Sequence, residues 1–329
     1  MSEKKMISVL QTYDVTTGER KVLRRFDEHI EAPNWGMDGT FLVYNSQGHI
    51  FRYDLQSGES AQIDTGICTR CNNDHVLSFD GKWIGISSGV DGDGASRVWT
   101  VPLTGGQPKQ ITPLKPSYLH GISPDGKTLA YCAERNGNFD VYTRSADGTG
   151  EETRLTTAEG LDDGPEFSPC GTYIWFNSVR SGLMQAFRMK ADGSEQTQMT
   201  DDDRNNWFPH VSPDGKQVVF VSYYKDDVAR PPGQQEHLHP QDVRRGRPDR
   251  DAHRDRSGKG REGRPGHHER QLLVPGQPEV CLRHLRVRGL TRTLRRDFPF
   301  GVLLFGKTTV KIFSFWPLTD ALEDDTISS

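Results

Sequence analysis

Histidines and carboxylates recur at matched offsets through the first two thirds of the chain. His75 and His120 each stand six residues before a glycine, Gly81 and Gly126, while Glu166 and His210 stand five before Gly171 and Gly215. Around them lie Glu31, Asn34, Asn73, Asp74, Asp162, Asp163 and Asn206. Imidazole nitrogens and carboxylate oxygens are the donors that divalent cations accept, so His75, His120 and His210 could hold manganese, calcium or zinc. Asp163 or Glu166 would then act as a general base, with Glu31, Asn34, Asn73, Asp74, Asp162 and Asn206 contacting the ligand. The competing reading is that the same groups bond one another across neighbouring repeats, because buried polar groups must find partners. No Gly-rich phosphate loop, G-x-S-x-G elbow or H-E-x-x-H helix is present.

These residues are positioned by a repeated turn. Ser123-Pro-Asp-Gly-Lys127 recurs at 78–82, 168–172 and 212–216, with a worn copy at 36–40, and the turn glycines Gly39, Gly81, Gly126, Gly171 and Gly215 are spaced by 42, 45, 45 and 44 residues. Proline presets φ for the first central position, aspartate bonds back to the backbone, and glycine takes the left-handed conformation that closes the turn. Each copy leads into a β-branched and aromatic run such as Thr128-Leu-Ala-Tyr-Cys-Ala133 or Gln217-Val-Val-Phe-Val-Ser222. A period of this length with strands on both sides is the signature of a β-propeller blade.

The strand pattern predicts full four-stranded blades over 32–64, 75–112, 119–156 and 164–200, and a fifth that begins at Phe208 and supplies two strands. Residues 7–14 and 20–25 read as the outer half of a further blade, so the expected ring has six blades and is incomplete in this chain. The N-terminal pair and the strand at 217–223 are then expected to expose unpaired edges.

Beyond residue 230 the composition changes. Residues 231–297 hold fifteen Arg and one Lys against nine Asp and Glu, with much Gly, Pro and His and no strand periodicity. Read one nucleotide out of frame, the stretch Leu272-Leu-Val-Pro-Gly-Gln-Pro-Glu-Val-Cys-Leu282 can encode another Ser-Pro-Asp turn, which points to a frameshift near Arg230. Residues 298–329 form an apolar, hairpin-like tail, too interrupted by Lys307 and Lys311 for a membrane span. Interspersed acids argue against a nucleic-acid partner. Residues 1–10 lack the apolar core of a secretory signal, so a cytoplasmic location is expected. Five cysteines, with one lone C-x-x-C at Cys68 and Cys71, read as reduced thiols. Oligomeric state is not encoded in any of these patterns.

Residues 6–230 resemble the WD40-like propeller repeats of the TolB family, through the Ser-Pro-Asp-Gly-Lys turns, the Ala-Asp-Gly outer hairpins, and the segments Thr69-Arg-Cys-Asn-Asn-Asp-His75, Leu161-Asp-Asp-Gly-Pro-Glu166 and Asn205-Asn-Trp-Phe-Pro-His210. The resemblance implies an all-β, six-bladed architecture of stand-alone type; the role expected of it is binding of a protein or saccharide at the central funnel, with a divalent metal (manganese, calcium or zinc) as the candidate cofactor. Oligogalacturonate lyases resemble the chain in repeat type, which implies the alternative of a manganese-dependent lyase or hydrolase acting on an acidic sugar.

Overall fold

The structure, a computed structural model, describes residues 6–14, 17–90, 92–225, 242–245, 304–305 and 309–317. The described residues are all strand, turn and irregular chain, and no helix among them is long and apolar enough to cross a membrane. Four sheets are built from consecutive antiparallel strands. They are β3 (Glu31–Trp35), β4 (Phe41–Ser46), β5 (His49–Asp54) and β6 (Ser60–Ile63); β7 (Arg70–Leu77), β8 (Trp83–Val90), β9 (Asp93–Pro102) and β10 (Lys109–Gln110); β11 (Ser117–Ile122), β12 (Thr128–Arg135), β13 (Asn138–Ser145) and β14 (Thr153–Arg154); and β15 (Asp162–Phe167), β16 (Tyr173–Ser178), β17 (Gln185–Lys190) and β18 (Thr197–Gln198).

Two further sheets combine distant parts of the chain. β1 (Met6–Asp14) and β2 (Arg20–Phe26) are joined by β22 (Leu304–Phe305) and β23 (Thr309–Pro317), while β19 (Arg204–Val211) and β20 (Val218–Tyr224) are joined by β21 (Asp242–Arg245). The expectation of unpaired edges is therefore corrected. β1 pairs with β23 from Met6↔Pro317 to Asp14↔Thr309, and β20 pairs with β21 from Val219↔Arg245 to Ser222↔Asp242. Exposed ladder groups need partners, and these strands supply them. β22 lies against both β3 and β19, so the inner strands β22, β3, β7, β11, β15 and β19 follow one another around a single axis. Arg-rich residues 246–297, including His267, His268 and the out-of-frame turn near Leu272, lie outside the described residues.

The turn behaves as its residues dictate. In each copy the glycine N–H donates to the carbonyl three residues back, as from Gly126 to Ser123 at 2.8 Å, and all five glycines have φ between 68° and 78°. The serine hydroxyl donates to the aspartate in three copies: Ser78 to Asp80 at 2.7 Å, Ser123 to Asp125 at 2.6 Å, and Ser212 to Asp214 at 2.6 Å.

The apolar strand runs are explained by packing between blades. β4 and β12 are buried along nearly their whole length, because each faces a neighbouring sheet on both sides. Val43 and Ile50 pack with Leu77, Ile84 and Ile86 of the next blade, whereas Leu42 and Tyr44 pack back onto Leu10 and Phe26. Ala130 and Val141 likewise join Phe167, Ile174 and Phe176, and Trp175 joins Val218 and Phe220. Cys68 and Cys71 are buried in the first of these clusters, and burial pushes their thiols up to about 12 and about 11, so they are inert.

The inner strands approach so closely that backbone faces backbone. A Cβ at Gly121 would stand 2.5 Å from the Pro165 carbonyl oxygen of the next blade. Gly121→Ala should therefore destabilise the fold by about 1–3 kcal/mol through overpacking, measured as a lower urea midpoint at unchanged m-value.

Candidate functional site

Every complete inner strand bulges at the same level. The pairing jumps from Glu31 to Asn34 in β3, from Cys71 to His75 in β7, from Leu119 to Gly121 in β11, from Asp163 to Glu166 in β15, and from Trp207 to His210 in β19. A bulge re-aims the side chains beside it and ends regular pairing locally. In three strands it falls on a residue with left-handed φ followed by proline: Ala32-Pro33 (φ 46°), Gly164-Pro165 (φ 62°) and Phe208-Pro209 (φ 51°). Proline suits the place because it has no N–H to leave unpaired.

The bulges surround a cavity on the axis with about 500 Å³ of empty space, including its open mouth. Of the residues expected at the site, Asn34, Asn73, Asp74, His75, His120, Glu166 and His210 line it. Asp163 reaches it through His120, whose Nε2 lies 3.1 Å from Asp163 Oδ1 and 3.9 Å from Asp74 Oδ1. Glu31 accepts a hydrogen bond from Asn45 Nδ2 at 3.1 Å and lies behind the lining.

Two expected ligand contacts are elsewhere. Asp162 is buried against Arg180 Nη2 at 2.7 Å, within its own blade. Asn206 is fully buried, donating to Gln185 Oε1 at 3.1 Å and Asp202 Oδ1 at 3.0 Å while accepting from Ser222 at 2.7 Å. Asp162 is thus bonded inside its own blade, and Asn206 joins its blade to Gln185 of the preceding one, away from the axial cavity.

The lining groups tie successive blades together. Asn34 Nδ2 donates to the His75 carbonyl at 2.9 Å. His120 spans from Asp74 on one side to Asp163 on the other. Glu166 bonds the His210 Nδ1 and accepts from the Val211 N–H at 3.1 Å. His75, His120 and His210 consequently reach one cavity without converging on one point. Among the described residues no three His, Cys, Asp or Glu side chains are grouped to hold a metal ion. Equal spacing from the turn glycine does not make His75 and His120 equivalent either. Three residues bulge in β7 where one does in β11, so Asp74, not His75, stands beside His120.

Burial and charge divide the ionisable groups. Burial alone would lower His120, but Asp74 and Asp163 outweigh it and hold the imidazole up to about 9. Burial likewise works to raise Asp163, yet His120 and the Gly164 amide keep it below the ordinary carboxylate value. Asp74, farther from His120, is pushed by burial up to about 6. His75 is 3% exposed, and burial pushes it down to about 4. The sequence reading missed Phe208, whose ring stacks on His120 with centroids 5.7 Å apart and whose N–H donates to Asn177 Oδ1 at 3.0 Å. The Phe-Pro pair, matched by Ala-Pro and Gly-Pro at the same level, was the signal for it.

This architecture has relatives. Residues 116–230 match the family model described as the TolB beta propeller domain. An uncharacterized protein of Agrobacterium fabrum is 45% identical over 227 residues, which cover 69% of this chain and 77% of that one. The chain belongs to the TolB-like propeller family. A solved Agrobacterium tumefaciens structure, described provisionally as TolB, superposes on this TolB-like chain with a TM-score of 0.67 at 44% identity, covering 73% of this chain and 84% of the other. The Tol-Pal system protein TolB of Francisella tularensis is 29% identical over 61% of this chain. The chain spans 47% of that relative's length.

The His120 clamp has a measurable consequence. Because its folded value lies above the ordinary imidazole value of 6.5, its stabilising contribution is full below about pH 6.5 and is lost as the pH rises through about 9. Imidazole proton resonances should show one histidine titrating near 9, and Asp163→Asn should bring that midpoint down. A midpoint that Asp163→Asn leaves in place would show that the ion pair does not form.

Proposed function

We propose that this TolB-like propeller is a binding scaffold that receives a protein or saccharide ligand at its axial cavity. The observation that carries the reading is the state of the lining itself. Asn34 bonds the His75 carbonyl, His120 bonds Asp163 and Glu166 bonds His210 across three inner-strand junctions, and His120 faces Asp74 across a fourth, which gives a pre-organised polar rim around an open space. Such a rim suits recognition. A base or a metal ligand would need a free lone pair directed at a substrate, whereas both Glu166 oxygens are taken by the next blade and Asp163 Oδ1 already serves His120 and the Gly164 N–H. The metal-dependent lyase alternative also calls for converging donors, which the described residues do not supply. The Francisella relative's place in a Tol-Pal system supports a protein ligand over a saccharide.

The test is to present the full chain to a glycan array and to a peptide array, then to repeat the positive arm with Phe208→Ala and His210→Ala. The expected outcome is binding in one arm, weakened about tenfold or more by either variant, since anchors in a desolvated pocket dominate binding. Binding that both folded variants retain would move the ligand off the axis, and silence on both arrays would remove the scaffold reading.

A further inference from the structure

The chemistry of the cavity narrows what the scaffold holds; this step rests on the reading just given. Its walls are apolar where Ala32, Val76, Leu119 and Phe208 face the space, and charged at one point. There Asp74 Oδ2 accepts a hydrogen bond from Asn72 Nδ2 at 2.9 Å. Asp74 Oδ1 stands 3.9 Å from His120 Nε2, too far for a hydrogen bond, and takes none from any other described residue. Asp163 and Glu31 add their negative potential at the same carboxylate; His120 offsets it directly, and the half-exposed His29 stands 3.5 Å from Glu31. Glu166 is committed to His210.

A second, independent feature points to an absent partner. His75, 3% exposed and lining the same cavity, has backbone groups of Val43, Asn72 and Ala32 facing its ring but no ring nitrogen in hydrogen-bond geometry, and His210 Nε2 has no partner. Unpaired buried polar atoms are costly and are usually completed by water or ligand. The neutral His75 ring contributes a lone pair and a single N–H, and no charge.

We propose that the cavity receives an alkylammonium group, the side chain of a lysine carried by a protein partner, with its ammonium on Asp74 Oδ1 and its methylene stem along Val76, Leu119 and Phe208. An ammonium brings three donors and a compact positive charge on a flexible apolar stem, which matches one open acceptor at the end of an apolar wall. A carboxylate or phosphate would meet like charge. A saccharide would offer neutral hydroxyls and leave the excess of negative charge uncompensated.

The experiment follows the histidine imidazole resonances of the full chain during titration with the capped tripeptide Gly-Lys-Gly, its norleucine and acetyl-lysine counterparts, Gly-Glu-Gly, and calcium chloride. The lysine peptide should shift the His75 and His210 signals saturably, and the other probes should not. Asp74→Asn should weaken the lysine peptide about tenfold or more, whereas Asp80→Asn, in an exposed turn, should leave it unchanged. Comparison of lysine with acetyl-lysine on the unaltered protein keeps the test decisive if Asp74→Asn fails to fold. Equal response to norleucine or acetyl-lysine, no response to lysine, a response to calcium alone, or an unchanged affinity in folded Asp74→Asn would each overturn the assignment. An axial response to Gly-Glu-Gly without one to lysine overturns the ammonium but leaves the scaffold reading standing; the arrays decide that reading separately.

Discussion

Six inner strands meeting on one axis impose a constraint from which much else follows. Their backbones come within contact distance, as the Gly121 approach to Pro165 shows, so bulky side chains cannot be accommodated between them. Polar side chains at that level have no sheet to pair with and little water to reach. They must either bond across the gap to the next blade or remain unsatisfied. Asn34, His120 and Glu166 take the first course. His75 takes the second, and Asp74 Oδ1 accepts no hydrogen bond.

The bulges are the device that makes this geometry available. A regular strand would turn alternate side chains toward neighbouring blades along its whole length. Inserting extra residues breaks the alternation and lets the Gly164 N–H turn back onto the Asp163 carboxylate that also faces His120. Gly164 is required there in two senses. Its φ of 62° favours glycine, and a Cβ would stand 2.7 Å from Asn177 Oδ1 and 2.8 Å from the Phe208 ring.

Much of this was legible in the sequence. The Ser-Pro-Asp-Gly turns gave the period, the blade count and the central strands, because turn chemistry is local and each residue's role depends on its immediate neighbours. Inner strands were read as starting too late: β7 begins at Arg70 rather than at residue 75, and β19 at Arg204 rather than at Phe208. Pairing resumes upstream of each bulge through polar residues that carry no strand periodicity. The same blindness to bulge length made His75 and His120 look equivalent and left Asp162 and Asn206 on the site, although Asp162 bonds Arg180 in its own blade and Asn206 bonds Gln185 of the preceding one. Ring closure was hidden for another reason. The strands that pair with β1 come from the far end of the chain, and nothing local in Thr309–Pro317 names its partner.

The apolar clusters each draw on two adjacent sheets, so a single blade has two half-interiors and none of its own. An open solenoid can lose its terminal repeat and keep the rest, since each unit leans on its neighbours in a line. Here each sheet from β3 to β18 has an interior on both sides, so melting any one of these blades strips a wall from two cores at once. Along that stretch a polypeptide of near-identical pieces is held together as one piece.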